Sequence, residues 1–431
     1  MPRPRRYSVL QRFHGIVIRS LLVSRDIDIH RATRNVAFEL KHFSLDDLER
    51  MLSCLDRYPS TPGSRYPCGP VFNKHRAALP IWLRGLVWPF LLAGTAALLP
   101  LQIGAGMVFV MQGRFHALAA EIPTPTRLLF GLYSDVFSFV KAPLPLVREA
   151  VRRDAALCVN GAGQFSVRSG GHADGYAVMS HVWGETMGWR TPEAWGPVEL
   201  SVRKRGVAYA HFRRFFDRCG AESLWIDVLA MPEVLEDMTP AQKDEAEVLR
   251  LGVINCFRSI VTRADCVVVL DSVLLRLRSC SPVDIAVALC LGEWMARLWT
   301  YVEARLAKKV VLKTRDASFD LDTVIEFFGR TVLNEEDRYY NLLRRLWPLR
   351  DVEKTGVVWD ETSTMKCACM GCENRYTNVE LDSVRILFPL FDMEWERGWT
   401  LQEGLLRLVE EHPEEKCIQQ WCDYRKIRFP G

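Results

Sequence analysis

Hydrophobic and polar positions between residues 176 and 335 follow two alternating patterns. Short apolar runs have the form of buried strands at 176–184, 223–229, 265–271 and 308–313. Longer stretches with the apolar spacing of helices separate these runs, at 203–219, 240–263 and 282–306. Strands that alternate with helices at this rhythm form crossover units. The pattern therefore predicts an α/β fold, with a parallel sheet and flanking helices on both of its faces.

The last of these helices carries a tryptophan and a glutamate on one face. We expect one helix from Glu293 to Leu306, on which Trp299 and Glu303 lie one turn apart. A carboxyl group shielded from water behind a tryptophan has a raised pKa, and such groups are frequent at functional sites. In the alternative interpretation, the tryptophan anchors the core and the glutamate is a solvated charge.

Polar side chains follow the predicted strands. In a parallel α/β sheet, ligands bind outside the carboxyl ends of the strands, where the chain turns into loops. This rule selects the residues Ser180, His181, Trp183, Gly184, Asp227 and Asp271. Glu303 joins them if its helix is rotated toward the same edge, and the sequence leaves that rotation open. Asp227 is equally suited to cap the loop that follows it.

Three short segments resemble the sequence boxes of the HET (heterokaryon incompatibility) domain family. Ser180–Gly184 is similar to the opening box, Leu224–Asp227 to the central box and Arg297–Glu303 to the closing box. The three segments occur in the family's order. The resemblance extends over residues 176–328, a little over a third of the chain.

The resemblance implies a fold and an activity. HET domains resemble Toll/interleukin-receptor (TIR) domains, so the expected fold is a TIR-like, flavodoxin-like sheet with flanking helices. Catalytic TIR domains hydrolyse NAD through a glutamate on the corresponding helix. By this resemblance Glu303 is the candidate catalytic carboxylate, and NAD is the substrate rather than a bound cofactor. Cleavage of the bond between ribose and nicotinamide develops oxocarbenium-like charge that a carboxylate stabilises. The implied ligand-binding residues are Ser180, His181, Trp183, Gly184, Asp227 and Trp299.

The resemblance also implies a biological role, which is self/non-self recognition or cell-death signalling of the fungal type. The alternative is a non-catalytic TIR-like module that self-associates into a homo-oligomer and is anchored at a membrane. Ala230–Glu233 stands where family members usually have Cys-Ile-Asn-Gln, and Val302 stands where they commonly have glutamine. Both departures remove polar groups, and the first one favours the alternative.

A second segment, Arg397–Glu403, matches the closing box more closely letter by letter. No comparable alternation of strands and helices leads up to it. Arg297–Glu303, in contrast, falls between the third and fourth predicted strands, where the fold needs a helix. Glu303 is therefore the preferred closing glutamate, and Glu403 is the alternative.

An apolar segment precedes the predicted α/β region. From Leu86 to Met111 the chain has no ionisable residue, and about 20 apolar residues suffice to span a bilayer. Trp82 and Trp88 lie near one end of the segment, as interfacial anchors do. We therefore predict a single-pass membrane protein whose α/β domain is cytosolic. The flanking charges do not fix the orientation, and a buried helical hairpin is the alternative.

The predicted organisation has five parts. They are a basic helical N-terminal region (1–84), a transmembrane helix (85–112), an amphipathic helical connector (113–160), a HET/TIR-like α/β domain (161–335) and a helical or irregular C-terminal region (336–431). We interpret the arginine-rich start as a flexible basic leader, with a presequence or a membrane-surface helix as the alternatives. The acids that follow Ser44 predict the start of a helix there.

Composition narrows the partners and the compartment. The chain has 56 basic and 52 acidic residues, a net charge of +4, so we predict no nucleic-acid partner. Thirteen cysteines without a secretory signal suit a reducing compartment. Cys367, Cys369 and Cys372 lie close together in the sequence, but a zinc site needs four convergent ligands. We interpret them as reduced thiols and predict no metal site, and zinc binding is the alternative.

Overall fold

A seven-stranded mixed sheet lies at the centre of the part of the chain that the structure describes. The structure is a computed structural model, and it describes residues 45–55, 139–140, 142–171, 174–182, 207–208, 216–232, 238–271, 273–335, 339–350, 363–372, 375–413, 417–425 and 427. The strands of the sheet are β2 (Ala156–Asn160), β3 (Phe165–Arg168), β4 (Ala177–His181), β6 (Ser223–Trp225), β7 (Cys266–Leu270), β8 (Val310–Lys313) and β9 (Ser318–Asp320). Two short strands, β1 (Phe139–Val140) and β5 (Val207–Ala208), form a separate antiparallel pair.

The strands lie in the order β3-β2-β6-β4-β7-β8-β9. The central four, β6, β4, β7 and β8, are parallel, whereas β2, β3 and β9 run antiparallel to their neighbours. The predicted α/β class with flanking helices is confirmed, but the prediction of a purely parallel sheet is wrong at both edges. Residues 161–164 and 314–317 connect the edge pairs, and such short connections join antiparallel strands. The sheet also begins with β2, before the boundary predicted at residue 161.

The four parallel strands define one crevice. Along the sheet they lie in the order β6-β4-β7-β8, whereas in the chain they follow one another as β4, β6, β7 and β8. The connection from β4 to β6 therefore runs in the opposite direction to the connections that follow, and the winding of the sheet reverses beside β4. At this point Ser180 and His181 of β4 lie opposite Val269 and Leu270 of β7. Open α/β sheets bind ligands at the carboxyl ends of the strands where the winding reverses. The topology therefore places the ends of β4 and β7 at the crevice.

Helices flank this sheet. In the described residues they are α1 (Leu45–Ser53), α2 (Leu144–Arg152), α3 (Asp227–Ala230), α4 (Pro240–Asn255), α5 (Phe257–Arg263), α6 (Pro282–Leu291), α7 (Trp299–Leu306), α8 (Leu321–Glu335), α9 (Tyr340–Leu346), α10 (Thr364–Gly371), α11 (Asp382–Arg385), α12 (Leu401–Glu411) and α13 (Ile418–Arg425). Helix α6 is buried from Val283 to Leu291 and therefore belongs to the core. Helix α1 begins where the acids after Ser44 predict a helix, and Arg50 on α1 donates to Asp284 on α6 at 2.9 Å.

The prediction of one helix from Glu293 to Leu306 is wrong. The chain leaves α6 at Gly292, makes a 3₁₀ turn at Trp294–Ala296, and enters α7 at Trp299. Two long-range contacts cause the break. The Asp271 carboxylate accepts the Trp294 N–H, and Tyr376 bonds through its backbone to Ala296 and Leu298 on either side of the extended residue Arg297.

The C-terminal region shares the core of the sheet. Its helices α10, α12 and α13 contribute the buried side chains Met365, Leu405 and Trp421 to the hydrophobic cluster that also contains β4, β7 and α6, and a 3₁₀ turn at Phe388–Leu390 contributes Phe388. Within residues 336–431 the structure describes the helices α9 to α13. The predicted transmembrane helix at 85–112 lies outside the described residues. Among the residues that are described, no helix is both long enough and apolar enough to cross a membrane.

Candidate functional site

The Ser180 hydroxyl and the Glu303 carboxyl meet at the carboxyl end of β4. Strand β4 is buried along its length, and Ser180, its fourth residue, donates a short hydrogen bond to Glu303 Oε2. Glu303 lies on α7, with 8 % of the residue exposed. The rotation of the helix, which the sequence leaves open, thus brings Glu303 to the strand end that carries Ser180.

Trp294 completes a directed chain of hydrogen bonds. Its indole Nε1 donates to Ser180 Oγ at 2.6 Å, and the residue is fully buried. An indole N–H donates but cannot accept, so Ser180 accepts this bond and gives its own proton to Glu303. Sequence reasoning missed Trp294 as a site residue, because it was assigned to the interior of a helix that does not form there.

Burial raises the pKa of Glu303 to about 8, and the negative charge of Asp227 adds to the rise. The hydrogen bond from Ser180 and the positive charges of Arg375 and Arg297 act in the opposite direction. Each of these four groups stabilises or destabilises the ionised carboxylate relative to the neutral acid. With a pKa near 8, Glu303 is mostly protonated at pH 7.

His181 and Asp227 form a second polar pair at the same edge. The His181 Nε2 lies 3.2 Å from Asp227 Oδ1, which also accepts the backbone N–H of Val228 at 2.6 Å. The His181 side chain is 1 % exposed and that of Asp227 is 25 % exposed. Since β4 and β6 are parallel neighbours, their ends bring these two residues together, as the rule for ligand crevices predicts.

Asp271 directly follows β7 and binds the loop that carries Trp294. Its buried carboxylate accepts the backbone N–H groups of Val273 at 2.9 Å, Leu274 at 3.2 Å and Trp294 at 3.2 Å. Burial raises the pKa of Asp271 to about 6, although the three N–H groups lower it. Asp271 therefore holds the loop that carries Trp294 rather than contacting Glu303.

Two arginines place positive charge near Glu303. The buried Arg375 donates to the carbonyl of Arg297 and to the Thr300 hydroxyl, both at 2.9 Å, and burial lowers its pKa to about 10. The half-buried Arg297 lies over the Tyr376 ring, with its guanidinium carbon 5.2 Å from the ring centroid. No described carboxylate forms an ion pair with either guanidinium. Sequence reasoning missed Arg375, because no local pattern links it to a helix that lies far earlier in the chain.

Trp299 lies away from this centre. Its indole N–H donates to Asp382 Oδ2 at 2.9 Å, and its ring packs edge-on against Phe257 at 5.2 Å. Trp299 therefore joins α7 to α11 and α5, whereas Trp294 is the tryptophan that reaches Ser180. Trp183 and Gly184, two further predicted ligand-binding residues, lie outside the described residues.

The rival glutamate caps its own helix. The exposed Glu403 accepts the backbone N–H of Thr400 at 2.7 Å and the Thr400 hydroxyl at 2.8 Å, and these bonds lower its pKa. This is a capping box at the start of α12. Of the two glutamates, Glu303 is the one that lies at the carboxyl edge of the parallel strands.

The cysteines Cys367, Cys369 and Cys372 are buried at α10, and Cys369 donates to the carbonyl of Cys417 at 3.6 Å. Within the described ranges, no group of three or more His, Cys, Asp or Glu side chains is placed to hold a metal ion.

No protein-family model, curated protein or solved structure matches the chain. The geometry of the site therefore carries the functional argument.

Proposed function

We propose that Ser180 and Glu303 form the catalytic centre of a TIR-like domain of the HET type that hydrolyses NAD between ribose and nicotinamide. The observation that carries this proposal is a buried carboxyl with a raised pKa, located where the winding of the four parallel strands reverses. Both the location and the unusual protonation are typical of functional sites. The same strand order supports the finer assignment of the sheet as TIR-like.

Glu303 suits a reaction that develops positive charge on a sugar. When the bond to nicotinamide breaks, nicotinamide leaves as a neutral molecule with the bonding electrons, and the ribose becomes oxocarbenium-like. Water then adds to the sugar carbon and releases a proton. A cationic ligand beside Glu303 favours its ionised form, so substrate binding lowers the raised pKa. The ionised carboxylate, held by the Ser180 hydroxyl, stabilises the developing charge.

The two arginines near Glu303 supply positive charge that binds the phosphates of a dinucleotide. Arg297 is half-buried, and its guanidinium forms no ion pair with a carboxylate in the described part of the chain. A guanidinium binds phosphate through two parallel hydrogen bonds. Its positive charge acts on Glu303, so a phosphate bound there lies within the same site. These features favour an anionic nucleotide with a cationic base over a neutral substrate.

A non-catalytic module is the second candidate function. The small exposure of Glu303 and its direct bond to Ser180 also suit a purely structural hydrogen bond in the core. In that case the domain self-associates and signals in cell death or self/non-self recognition without turnover. The predicted membrane anchor is compatible with either function.

The test uses the full chain. A fragment of residues 161–335 lacks β2, Arg375 and Tyr376, which contact the sheet or the loop beside Glu303. We expect the purified protein to release nicotinamide from NAD and the Glu303→Gln variant to release none. Glu403→Gln is the matched control, since it changes the same residue type in the second box and we expect it to retain activity. If the wild type is inactive both as a monomer and when assembled, the catalytic proposal fails and the module is favoured.

A further inference from the structure

We propose that Trp294 is a positioning residue, held by Asp271 and Arg375, which aims the Ser180 hydroxyl at Glu303. The consequence for turnover rests on the proposed function, whereas the consequence for the protonation of Glu303 does not. The C-terminal segment that supplies Arg375 then belongs to the site, although it lies outside the predicted α/β domain.

Three elements fix the backbone of Trp294. Its N–H donates to Asp271 Oδ2 at 3.2 Å, and its carbonyl accepts the Thr300 hydroxyl at 2.5 Å and Arg375 Nη1 at 3.3 Å. The Arg375 guanidinium also lies over the indole, 5.9 Å from the ring centroid. Because strand β7, helix α7 and the C-terminal segment all contribute, the indole has little freedom to turn away from Ser180.

When Glu303 is ionised, the directions of both hydrogen bonds are fixed, because a carboxylate can only accept and an indole N–H can only donate. The indole N–H occupies one lone pair of Ser180 Oγ, so the single hydroxyl proton of Ser180 is free for Glu303 Oε2. Hydrogen bonds in such a chain polarise one another, so the indole strengthens the bond from Ser180 to Glu303.

Trp225 is a buried tryptophan that takes no part in this series of hydrogen bonds. It is also buried and lies on β6, but its indole N–H has no hydrogen-bond partner among the described residues. Its ring packs edge-on against Phe257 at 5.9 Å. Replacing Trp225 by phenylalanine therefore removes core volume without removing a hydrogen bond. That makes it a matched control for Trp294→Phe, which removes both.

The groups around Glu303 determine in which direction Trp294→Phe shifts the pKa of this carboxyl group. The groups that act on Glu303 come from four elements: Ser180 from β4, Asp227 from α3, Arg297 from the loop before α7, and Arg375 from the C-terminal segment. The Ser180 hydrogen bond stabilises the ionised carboxylate. Trp294→Phe weakens that bond, so the pKa of Glu303 rises further. The control Trp225→Phe leaves this hydrogen-bond chain intact.

The experiment measures the protonation of Glu303 in the full chain by carbon NMR of carboxyl-labelled glutamate. The Glu303→Gln variant identifies the resonance. We expect a midpoint near pH 8 in the wild type. In Trp294→Phe we expect it to move upward by about 1 unit, a tenfold change in the ionisation constant. In Trp225→Phe we expect no movement. An unchanged or lowered midpoint in Trp294→Phe overturns the proposal, whether or not NAD is cleaved.

Kinetics then separate the two proposals. If the wild type releases nicotinamide, we expect Trp294→Phe to lower kcat roughly 10- to 100-fold with little change in KM, because the reacting groups are misaligned. An upward shift of the midpoint in an inactive protein supports the positioning role and refutes the hydrolase. If Trp294→Phe does not fold, Asp271→Asn is measured in its place. In that variant an NH₂ group faces the backbone N–H of Trp294 where a carboxylate oxygen accepted it, so this hydrogen bond is lost while the indole ring remains. Its midpoint is expected to move in the same direction, and no movement overturns the proposal.

Discussion

Gly292 faces the Asp271 carboxylate at a distance that leaves no room for a side chain. A Cβ at residue 292 would lie 2.7 Å from the carboxylate carbon of Asp271. The backbone at Gly292 is extended, so space rather than an unusual dihedral angle requires glycine. The contact lets Asp271 reach the Trp294 N–H and interrupts the helix that the sequence predicts. One buried glycine thus determines where the loop beside Glu303 runs.

Gly292→Ala is therefore expected to displace that loop. We expect a loss of about 1 to 3 kcal/mol in the free energy of unfolding, the usual cost of an overpacked core, measured by urea titration. Gly252→Ala is the control, since its Cβ would overlap Val151 on α2, away from Glu303. Both variants lose stability, but the protonation midpoint of Glu303 is expected to change in Gly292→Ala alone. A normally stable Gly292→Ala protein would contradict the contact.

The residues at the ends of the parallel strands can be predicted from local sequence, whereas the contacts that hold Trp294 and Arg375 in the site cannot. Ser180, His181 and Asp227 end apolar runs whose strand character is visible from composition, so their common edge can be predicted. Trp294 and Arg375 meet because Gly292 breaks a helix and residue 376 pairs with residue 297, and neither contact has a local pattern. The antiparallel edge strand β3 was missed because it has only four residues, all half-buried, so its apolar-polar alternation is too short to distinguish a strand from a loop.

The pH dependence of stability tests the protonation of Glu303 without any substrate. Because its pKa is raised from 4.5 to about 8, the folded protein retains a proton that the unfolded chain has released. The free energy of unfolding contributed by this group is therefore present below pH 4.5 and is lost as pH rises to about 8. The slope is about 1.4 kcal/mol per pH unit for one proton.

The window from pH 6 to 8 isolates this effect, because Asp271, with a pKa raised to about 6, contributes its own loss at lower pH. We expect the stability difference between wild type and Glu303→Gln to fall across this window in urea titrations at fixed pH. Glu403→Gln is the control, because the lowered pKa of Glu403 places its titration far below it. A constant difference between pH 6 and 8 would show that Glu303 is already ionised.

Arg297→Gln tests the phosphate contact. The substitution removes the cation over Tyr376 while keeping a polar side chain, so we expect KM for NAD to rise roughly tenfold, or about 1.4 kcal/mol. The value of kcat is expected to stay close to that of the wild type, since the proposed phosphate contact lies away from the broken bond. Arg397→Gln is the control from the second box, where the exposed arginine pairs with Asp244. An unchanged KM in Arg297→Gln would remove the phosphate contact from the proposed function.

The fully buried Arg350 connects the end of α7 to α8 through an ion pair with Asp322, whose side chain is 20 % exposed. Its Nε and Nη2 lie 2.6 Å and 2.9 Å from the two carboxylate oxygens of Asp322, and its Nη1 donates to the carbonyls of Ala304 and Ala307. Arg350→Leu leaves these acceptors without their donor in the core. We expect a loss of about 3 kcal/mol or more in the free energy of unfolding, as for other broken buried pairs.

The comparison for Arg350→Leu is Arg263→Leu, because Arg263 makes a similar bond to Asp154 at 2.8 Å on the surface. Exposed pairs contribute at most about 1 kcal/mol, so the two variants should differ clearly in urea titrations. Arg350 also holds the carbonyl of Ala304, the residue after Glu303. We therefore expect Arg350→Leu to shift the protonation midpoint of Glu303, whereas Arg263→Leu leaves it unchanged. Equal stability losses would mean that the ion pair between Arg350 and Asp322 does not anchor α7, and Arg350 would then have no part in holding Glu303 at the end of β4.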